Sequence, residues 1–141
     1  MLFRSRELCG RLGLPRVVFT GSIPQDRLNA WYRASSAFIT MSAHEGFCVP
    51  LAEAMHHRLP VFALASAAVP ETMRGAGVLF DEPDWPSIAE AIGQVDRDQA
   101  LRERVLALQD EAVRSFQPAQ AARQWLDWLR QAGASGAVNL G

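Results

Sequence analysis

The sequence lacks a long hydrophobic run, an excess of charge of either sign, and a cysteine spacing typical of a metal or redox site. No apolar run approaches the roughly 20 residues that a membrane-spanning helix needs, so the sequence predicts no transmembrane segment. Fourteen basic and fifteen acidic residues leave a net charge of -1. This balance excludes a global field that would draw the chain to nucleic acid or to an anionic membrane. An anionic ligand must therefore be bound by local groups.

Cysteine is scarce, and we expect no signal for export. Its two cysteines, Cys9 and Cys48, match no metal-binding or redox spacing, so we expect reduced thiols. The N-terminal stretch MLFRSRELCGRLGL lacks the uninterrupted apolar core of a secretory signal. We therefore expect this stretch to belong to the mature structure and predict a cytoplasmic location.

The length and the hydrophobic content together predict one domain. With 141 residues, of which 49% are hydrophobic, the chain is long enough for one compact core and too short for two. The last residues, GASGAVNLG, are small and rich in glycine. We predict a domain over residues 1–131 and a flexible tail over residues 132–141.

Four short apolar runs recur along the chain and are typical of strands that are buried on both faces. These runs cover residues 17–20, 37–41, 61–64 and 77–80. Segments with helical signals separate them, since Pro24 and Pro50 each suit the first turn of a helix. Strands that alternate with helices predict right-handed crossovers and parallel pairing. The predicted fold class is therefore α/β, a Rossmann-like parallel sheet of about four strands with flanking helices.

The chain is predicted to be helical after the fourth apolar run. Apolar residues at spacings of three and four indicate three helices, the first with Asp84 as its N-cap and the last beginning at Pro118. Their predicted buried stripes are Trp85, Ile88, Ile92 and Val95; Leu101, Val105, Leu108 and Ala112; and Ala122, Trp125, Leu126 and Leu129.

The stretch HEGFCVPLAEAM, residues 44–55, carries the strongest chemical signal. Pro50 lacks an amide hydrogen and has a fixed φ, so it fits the first turn of a helix. This placement puts Glu45 in the loop before the helix and Glu53 about one turn inside it. Free amides and the helix dipole at such an N-terminus attract anions, and Gly46 lets the backbone approach a ligand closely.

Two interpretations of the acidic pair remain open on spacing alone. In the first, the helix amides bind a phosphate while Glu45 and Glu53 accept hydrogen bonds from vicinal hydroxyls, an arrangement that suits a nucleotide sugar. The loop follows the run at residues 37–41, and open parallel sheets bind ligands beyond the carboxyl ends of their strands. In the second, Glu53 favours the helix dipole and Glu45 is solvated surface.

The stretch EGFCVPLAEAM resembles the signature of the retaining family 4 glycosyltransferases. That family has the GT-B fold of two Rossmann-like lobes and binds its nucleotide-sugar donor mainly through the C-terminal lobe. The resemblance begins at VVFTGSIPQDRLNAWYRASSAFITMSAH, continues through LPVFA, VPET and GVLF, and includes the closing helices. It implies that the chain is a partial C-terminal lobe with a helical C-terminal end.

The resemblance implies a role for each matching residue. Glu45 matches a glutamate that contacts the transferred sugar near the reacting centre, and it is the expected catalytic residue. Glu53 matches a glutamate that accepts hydrogen bonds from ribose hydroxyls. The other implied nucleotide-sugar-binding residues are Ile23, Gly46, Phe47, Cys48 and Val49, with His44 as a candidate contact to the donor sugar. The implied reaction is transfer of a hexosyl group from a nucleotide sugar to an acceptor hydroxyl with retained anomeric configuration.

The resemblance implies no cofactor, because the nucleotide sugar is a substrate, and we expect no metal site. Three histidines, His44, His56 and His57, are the residues that most suggest a metal. His56 and His57 are adjacent, so we expect their side chains to point to different sides of a helix.

Two residues depart from the family pattern. Cys48 stands where many members have glycine, and it either narrows the approach to the diphosphate or packs under the loop. Arg58 replaces a glycine that commonly follows the signature. If Arg58 takes a left-handed conformation, it costs about 1 kcal/mol relative to glycine.

The resemblance also implies family segments that have no counterpart in this sequence. A helix-like segment over residues 3–12 precedes the first predicted strand, so we expect the chain to begin midway through the repeating pattern. The family lobe begins with a strand, a helix and a second strand, which supply an arginine and a lysine to the donor diphosphate. An N-terminal acceptor lobe precedes them, and any peripheral membrane contact is expected through these parts. Without the cationic clamp, worth several kcal/mol in the transition state, we expect the chain alone to be inactive.

Two other functions remain open on the sequence alone. One is a non-catalytic nucleotide-sugar-binding or partner module that keeps the pocket without the chemistry. The other is a different GT-B enzyme, such as an epimerase or a phosphorylase, which the closeness of the signature disfavours. Pro70 and Glu71 resemble the family's loop near the donor, yet a turn with a helix cap explains them equally well.

Overall fold

The computed structural model describes residues 2–44 and 46–116, together with Arg123 and Asp127. The chain divides into two compact units, Met1–Trp31 and Tyr32–Gly141. Arg123 and Asp127, within the helix predicted after Pro118, are helical and exposed. The buried stripe predicted for that helix and the tail over residues 132–141 lie outside the described residues.

The first unit is helical at both ends and has no strand among its described residues. Its helices are α1 (Leu2–Arg11) and the greater part of α2 (Gln25–Ala34). The strand predicted at residues 17–20 is wrong, because the Val17 amide donates to the Leu14 carbonyl at 3.4 Å in a turn. An apolar run forms a strand only where a neighbouring strand pairs with its backbone. Val17 and Val18 are instead exposed.

The second unit contains a parallel sheet, and its described residues form three strands in the order β1-β2-β3. Phe38 pairs with Val61 across the first ladder, and Phe62 pairs with Val78 across the second. The strands are β1 (Phe38–Thr40), β2 (Val61–Leu64) and β3 (Val78–Phe80). The α/β fold class with a parallel sheet is therefore confirmed, and three of the four predicted strands are present.

The helices of the second unit begin where proline or a cap predicts that they begin. Pro50, Pro70 and Pro86 each lie in the first turn of a helix. Asp84 is the N-cap residue of the helix that begins at Trp85, as predicted. The Asp98 carboxylate caps the helix that begins at Gln99 by accepting from the Leu101 amide at 3.0 Å. These helices are α3 (Val49–His56), α4 (Val69–Met73), α5 (Trp85–Arg97) and α6 (Gln99–Arg114).

The core of the second unit forms where β2 meets α5 and α6. Phe62 on β2, Val95 on α5 and Val105 on α6 form a buried cluster. Burial of side chains of this size contributes about 1.5–3 kcal/mol each. The stripe predicted for α5 is largely correct, since Ile88 and Val95 are buried, although Trp85 is exposed.

The stripe predicted for α6 is only partly correct. Val105 and Ala112 are buried, but Leu108 is 52% exposed and Gln109 is 0% exposed. The reason is that α6 packs against both α3 and α5, so its buried face differs from the single stripe that regular spacing describes. The buried Gln109 side chain is hydrogen-bonded, since its Oε1 accepts from the Val61 amide at 3.0 Å.

Candidate functional site

The β1–α3 loop, residues 41–48, connects the carboxyl end of β1 to the amino end of α3. Glu45 lies outside the described residues, and His44 beside it is exposed. Gly46 and Phe47 are also exposed, and Val49 is the first residue of α3. The loop therefore presents its backbone at the edge of the sheet where open α/β folds bind ligands.

Cys48 makes the final turn into α3 in an unusual conformation. It is the N-cap residue, with φ 52° and ψ 65° in the left-handed region, which costs a residue other than glycine about 1 kcal/mol. Its side chain is only 8% exposed. This burial favours packing under the loop over a position that narrows the approach of a ligand.

Arg58 also takes the left-handed conformation that its place after the signature suggests, with φ 53°. Its guanidinium lies 3.5 Å from carboxylate oxygens of Glu103 and Asp110. All three side chains are substantially exposed, and such surface pairs contribute about 0–1 kcal/mol. The two pairs are therefore of the same order as the backbone cost of about 1 kcal/mol.

Two hydroxyl groups from the neighbouring elements hold the β1–α3 loop. Ser66, after β2, donates to the Ser42 carbonyl at 2.7 Å. Thr72 on α4, which is 2% exposed, donates to the Phe47 carbonyl at 2.8 Å. The Phe47 ring packs edge to face against Phe116 at a centroid distance of 5.4 Å. Both halves of the loop are therefore tied to the adjacent strand–helix connection.

Glu53 lies on α3, one turn beyond Val49, and is held by a tyrosine that is distant in sequence. The Tyr32 hydroxyl donates to Glu53 Oε2 at 3.1 Å. Burial, followed by the hydrogen bond to Glu53 and the charge of its carboxylate, raises the pKa of Tyr32 to about 12. Tyr32 is therefore a protonated donor throughout the neutral range.

The structure brings most of the predicted site residues together, in one short segment. Gly46, Phe47, Cys48 and Val49 form the end of the loop and the first turn of α3, and Glu53 follows one turn later. Ile23 is half-buried in the first unit. The roles assigned to these residues remain predictions.

Sequence reasoning missed Tyr32, Ser66 and Thr72 as site residues. Tyr32 is buried on its helix, and nothing in the neighbouring sequence indicates a partner for its hydroxyl. Ser66 and Thr72 follow a buried strand at its carboxyl end, and polar residues at that edge are a signal that sequence alone supplies.

The histidines differ from the expectation in one respect. The His56 and His57 rings lie edge to face with centroids 5.5 Å apart, so the expectation that they point to different sides is wrong. The reason is that α3 ends at His56, and His57 is its C-cap with non-helical angles. In the part of the chain that the structure describes, no three His, Cys, Asp or Glu side chains form a group able to bind a metal ion.

Comparison with known families identifies the class of protein. Residues 4–98 match the family described as Glycosyl transferases group 1. This match includes β1, β2, β3, the whole β1–α3 loop and α3. The chain belongs to this glycosyltransferase family.

Individual relatives agree with the family. The chain is similar to a D-inositol 3-phosphate glycosyltransferase of Nocardioides sp., with 32% identity over 137 residues, which is 91% of this chain and 30% of the relative. It is also similar to the O-antigen chain mannosyltransferase B of Escherichia coli, with 33% identity over 85 residues, which is 60% of this chain and 22% of the relative. The chain thus spans less than a third of the length of either relative.

A solved structure supports the fold assignment. The C-terminal domain of LpcC, a glycosyl transferase group 1 family protein from Francisella tularensis, superposes with a TM-score of 0.67 at 26% identity. The match covers 82% of this chain and 62% of that one. The resemblance to the C-terminal lobe of a GT-B glycosyltransferase is therefore confirmed. Among the described residues, no helix combines the length and the apolar character needed to cross a membrane.

Proposed function

We propose that this chain is the nucleotide-sugar-binding region of a retaining, family 4-like glycosyltransferase. The observation that carries the proposal is the position of Glu53, one turn inside a helix that begins at the carboxyl end of a parallel strand. In a member of this glycosyltransferase family, that position suits a carboxylate that binds the ribose of the donor. The nucleotide sugar is the substrate, and the proposal includes no cofactor and no metal.

The amino end of α3 supplies the chemistry for an anionic donor. Backbone amides between Gly46 and Val49 would face the diphosphate, because the first amides of a helix and the helix dipole stabilise negative charge. Hydrogen bonds from the Ser66 and Thr72 hydroxyls to carbonyls of the β1–α3 loop keep this backbone in place, and Thr72 is buried. Preorganised dipoles stabilise a leaving phosphate without reorganisation during the reaction.

The carboxylates flank this anion site in the proposal. Glu53 would accept hydrogen bonds from the ribose hydroxyls, and Glu45 would contact the transferred sugar near the reacting carbon. The Ile23 backbone would lie against the base, and His44 would contact the donor sugar. The names of the relatives specify glycosyl and mannosyl transfer, so a hexosyl group is the proposed unit of transfer.

The remaining catalytic parts would come from outside these 141 residues. An acceptor lobe and a pair of basic residues for the diphosphate complete the proposed enzyme, which acts in the cytoplasm. The balanced charge of the chain fits this division, because the net charge of -1 gives the region no general attraction for a diphosphate.

The test compares this chain with the complete protein that also carries the acceptor lobe. Each is incubated with UDP-, GDP- and ADP-hexoses and an acceptor mixture, and release of the nucleoside diphosphate is measured. We expect turnover by the complete protein, none by the 141-residue chain, and a product whose anomeric configuration by NMR equals that of the donor.

Each alternative result contradicts a different part of the proposal. Turnover by the isolated chain would show that it needs no further lobe. An inverted product would exclude retention. Donor binding by the complete protein without transfer to any acceptor would identify a non-catalytic binding module.

A further inference from the structure

The hydrogen bond between Tyr32 and Glu53 joins two helices through residues that are 21 positions apart in sequence. Tyr32 lies near the end of α2, and Glu53 lies in the middle of α3. We propose that Tyr32 is a positioning residue that fixes the Glu53 carboxylate for recognition of the donor's ribose. This inference rests on the proposed function and adds a residue that acts through Glu53.

Tyr32 is itself held in a single place by its surroundings. It is only 7% exposed, and its ring stacks on His57 with centroids 5.4 Å apart and an interplanar angle of 18°. On another side, the Phe38 ring at the start of β1 lies 6.1 Å away in a tilted arrangement. A tyrosine side chain has only two main torsions, so packing of its ring also fixes the direction of its hydroxyl oxygen.

A hydrogen-bond partner that fixes the side chain lowers the entropy cost of ligand binding more for a glutamate than for a shorter side chain. The several torsions of glutamate carry side-chain entropy that a ligand must otherwise remove on binding. The hydrogen bond to Tyr32 restricts these torsions before the ligand arrives. A carboxylate has about four acceptor positions, and the tyrosine takes one of them, so the bond is compatible with a diol at others.

The chemical type of the partner also matters. A phenol donates a hydrogen bond without cancelling the charge of the carboxylate, whereas an arginine or a lysine forms an ion pair with it. The bond from Tyr32 therefore does not cancel the carboxylate charge, which strengthens hydrogen bonds to hydroxyl donors. Tyr32 keeps its proton through neutral and mildly alkaline pH, because its raised pKa of about 12 is far above that range.

The test removes the hydroxyl oxygen of Tyr32 and measures how strongly the complete protein prefers a ribonucleotide to its 2′-deoxy counterpart. Calorimetry gives the affinity of wild type and Tyr32→Phe for whichever of UDP, GDP and ADP binds wild type, and for its 2′-deoxy counterpart. We expect Tyr32→Phe to weaken the ribonucleotide about 5- to 10-fold, the size of one lost hydrogen bond. The affinity for the deoxynucleotide is expected to change much less. The ratio of the ribonucleotide affinity to the deoxynucleotide affinity is therefore expected to fall.

Two further variants separate this inference from the proposed function. Glu53→Ala is expected to bring the ratio close to one, and adding Tyr32→Phe to it is expected to cause no further loss. Ser36→Ala removes an exposed hydroxyl just after α2 and is expected to leave the ratio unchanged. The wild-type ratio is also expected to stay constant from neutral to mildly alkaline pH.

The outcomes are distinguishable. If Glu53→Ala leaves the ratio unchanged, the proposed ribose contact is overturned, and the inference falls with it. If Glu53→Ala abolishes the ratio but Tyr32→Phe does not lower it, the inference alone is overturned. Equal weakening of both nucleotides, or loss of cooperative unfolding in Tyr32→Phe, assigns Tyr32 to the fold and also overturns the inference.

Discussion

Replacing Gln109 with leucine is expected to lower the free energy of unfolding by about 2–6 kcal/mol. The Gln109 side chain is fully buried, and it bonds the two backbone groups on either side of Pro60. Its Oε1 accepts from the Val61 amide at 3.0 Å, and its Nε2 donates to the Leu59 carbonyl at 2.8 Å. Leucine has a similar size but satisfies neither group, and each buried group left unpaired costs about 1–3 kcal/mol.

Urea denaturation followed by circular dichroism measures this change. Gln94→Leu on α5 is the matched control, because the Gln94 side chain is exposed and its one described hydrogen bond is to the Glu90 side chain in the same helix. The control is expected to change stability by no more than about 0.5 kcal/mol. A Gln109→Leu loss no larger than that of the control would show that the two bonds do not stabilise the start of β2.

Replacing Glu45 with glutamine in the complete protein is expected to lower kcat about 10²- to 10³-fold. Removal of one electrostatic contact at a reacting centre has an effect of that size. Glutamine keeps the length and one acceptor oxygen, so KM for the donor is expected to change little. This prediction rests on the resemblance of the sequence around Glu45, which lies outside the described residues.

Steady-state kinetics with the preferred nucleotide sugar test the second prediction. Glu90→Gln is the matched control, because Glu90 is an exposed glutamate on α5 that pairs with Arg97 at 3.3 Å. We expect kcat of this control to match wild type. A Glu45→Gln enzyme with wild-type kcat would remove Glu45 from the reacting centre.

Local signals in the sequence were sufficient for much of the fold. The runs at residues 37–41, 61–64 and 77–80 contain β1, β2 and β3, since continuous apolar residues between helices are typical of parallel strands. Pro50 correctly predicted the start of α3 within one residue. These features depend on neighbours in sequence, which is why the sequence alone predicts them.

The errors have a different physical origin, because they depend on contacts between distant segments. The run at residues 17–20 has the composition of a strand, yet its valines are exposed and form no ladder. On α6, Leu108 is exposed and Gln109 buried because the helix packs against both α3 and α5. Regular spacing identifies one apolar stripe and cannot identify a buried amide whose partners are the backbone groups of Leu59 and Val61.

The candidate site likewise has features that neighbours in sequence predict and features that depend on distant segments. The order of Gly46, Cys48 and Glu53 around the start of α3 follows from Pro50 and was predictable. The partners of this segment were not, because Tyr32 reaches Glu53 from α2 and Thr72 bonds to a main-chain oxygen of the loop. A hydrogen bond to a carbonyl leaves no trace in the identity of the residue that accepts it.

Calorimetric titration of the complete protein measures whether a nucleotide sugar binds at the amino end of α3, as we propose. UDP-, GDP- and ADP-hexoses are titrated into wild type, Glu53→Ala and the exposed control Glu90→Ala. One donor is expected to bind wild type and the control equally, and Glu53→Ala about 10²- to 10⁴-fold more weakly, because two hydrogen bonds to a charged acceptor are lost. Equal affinity in all three proteins would contradict this proposal.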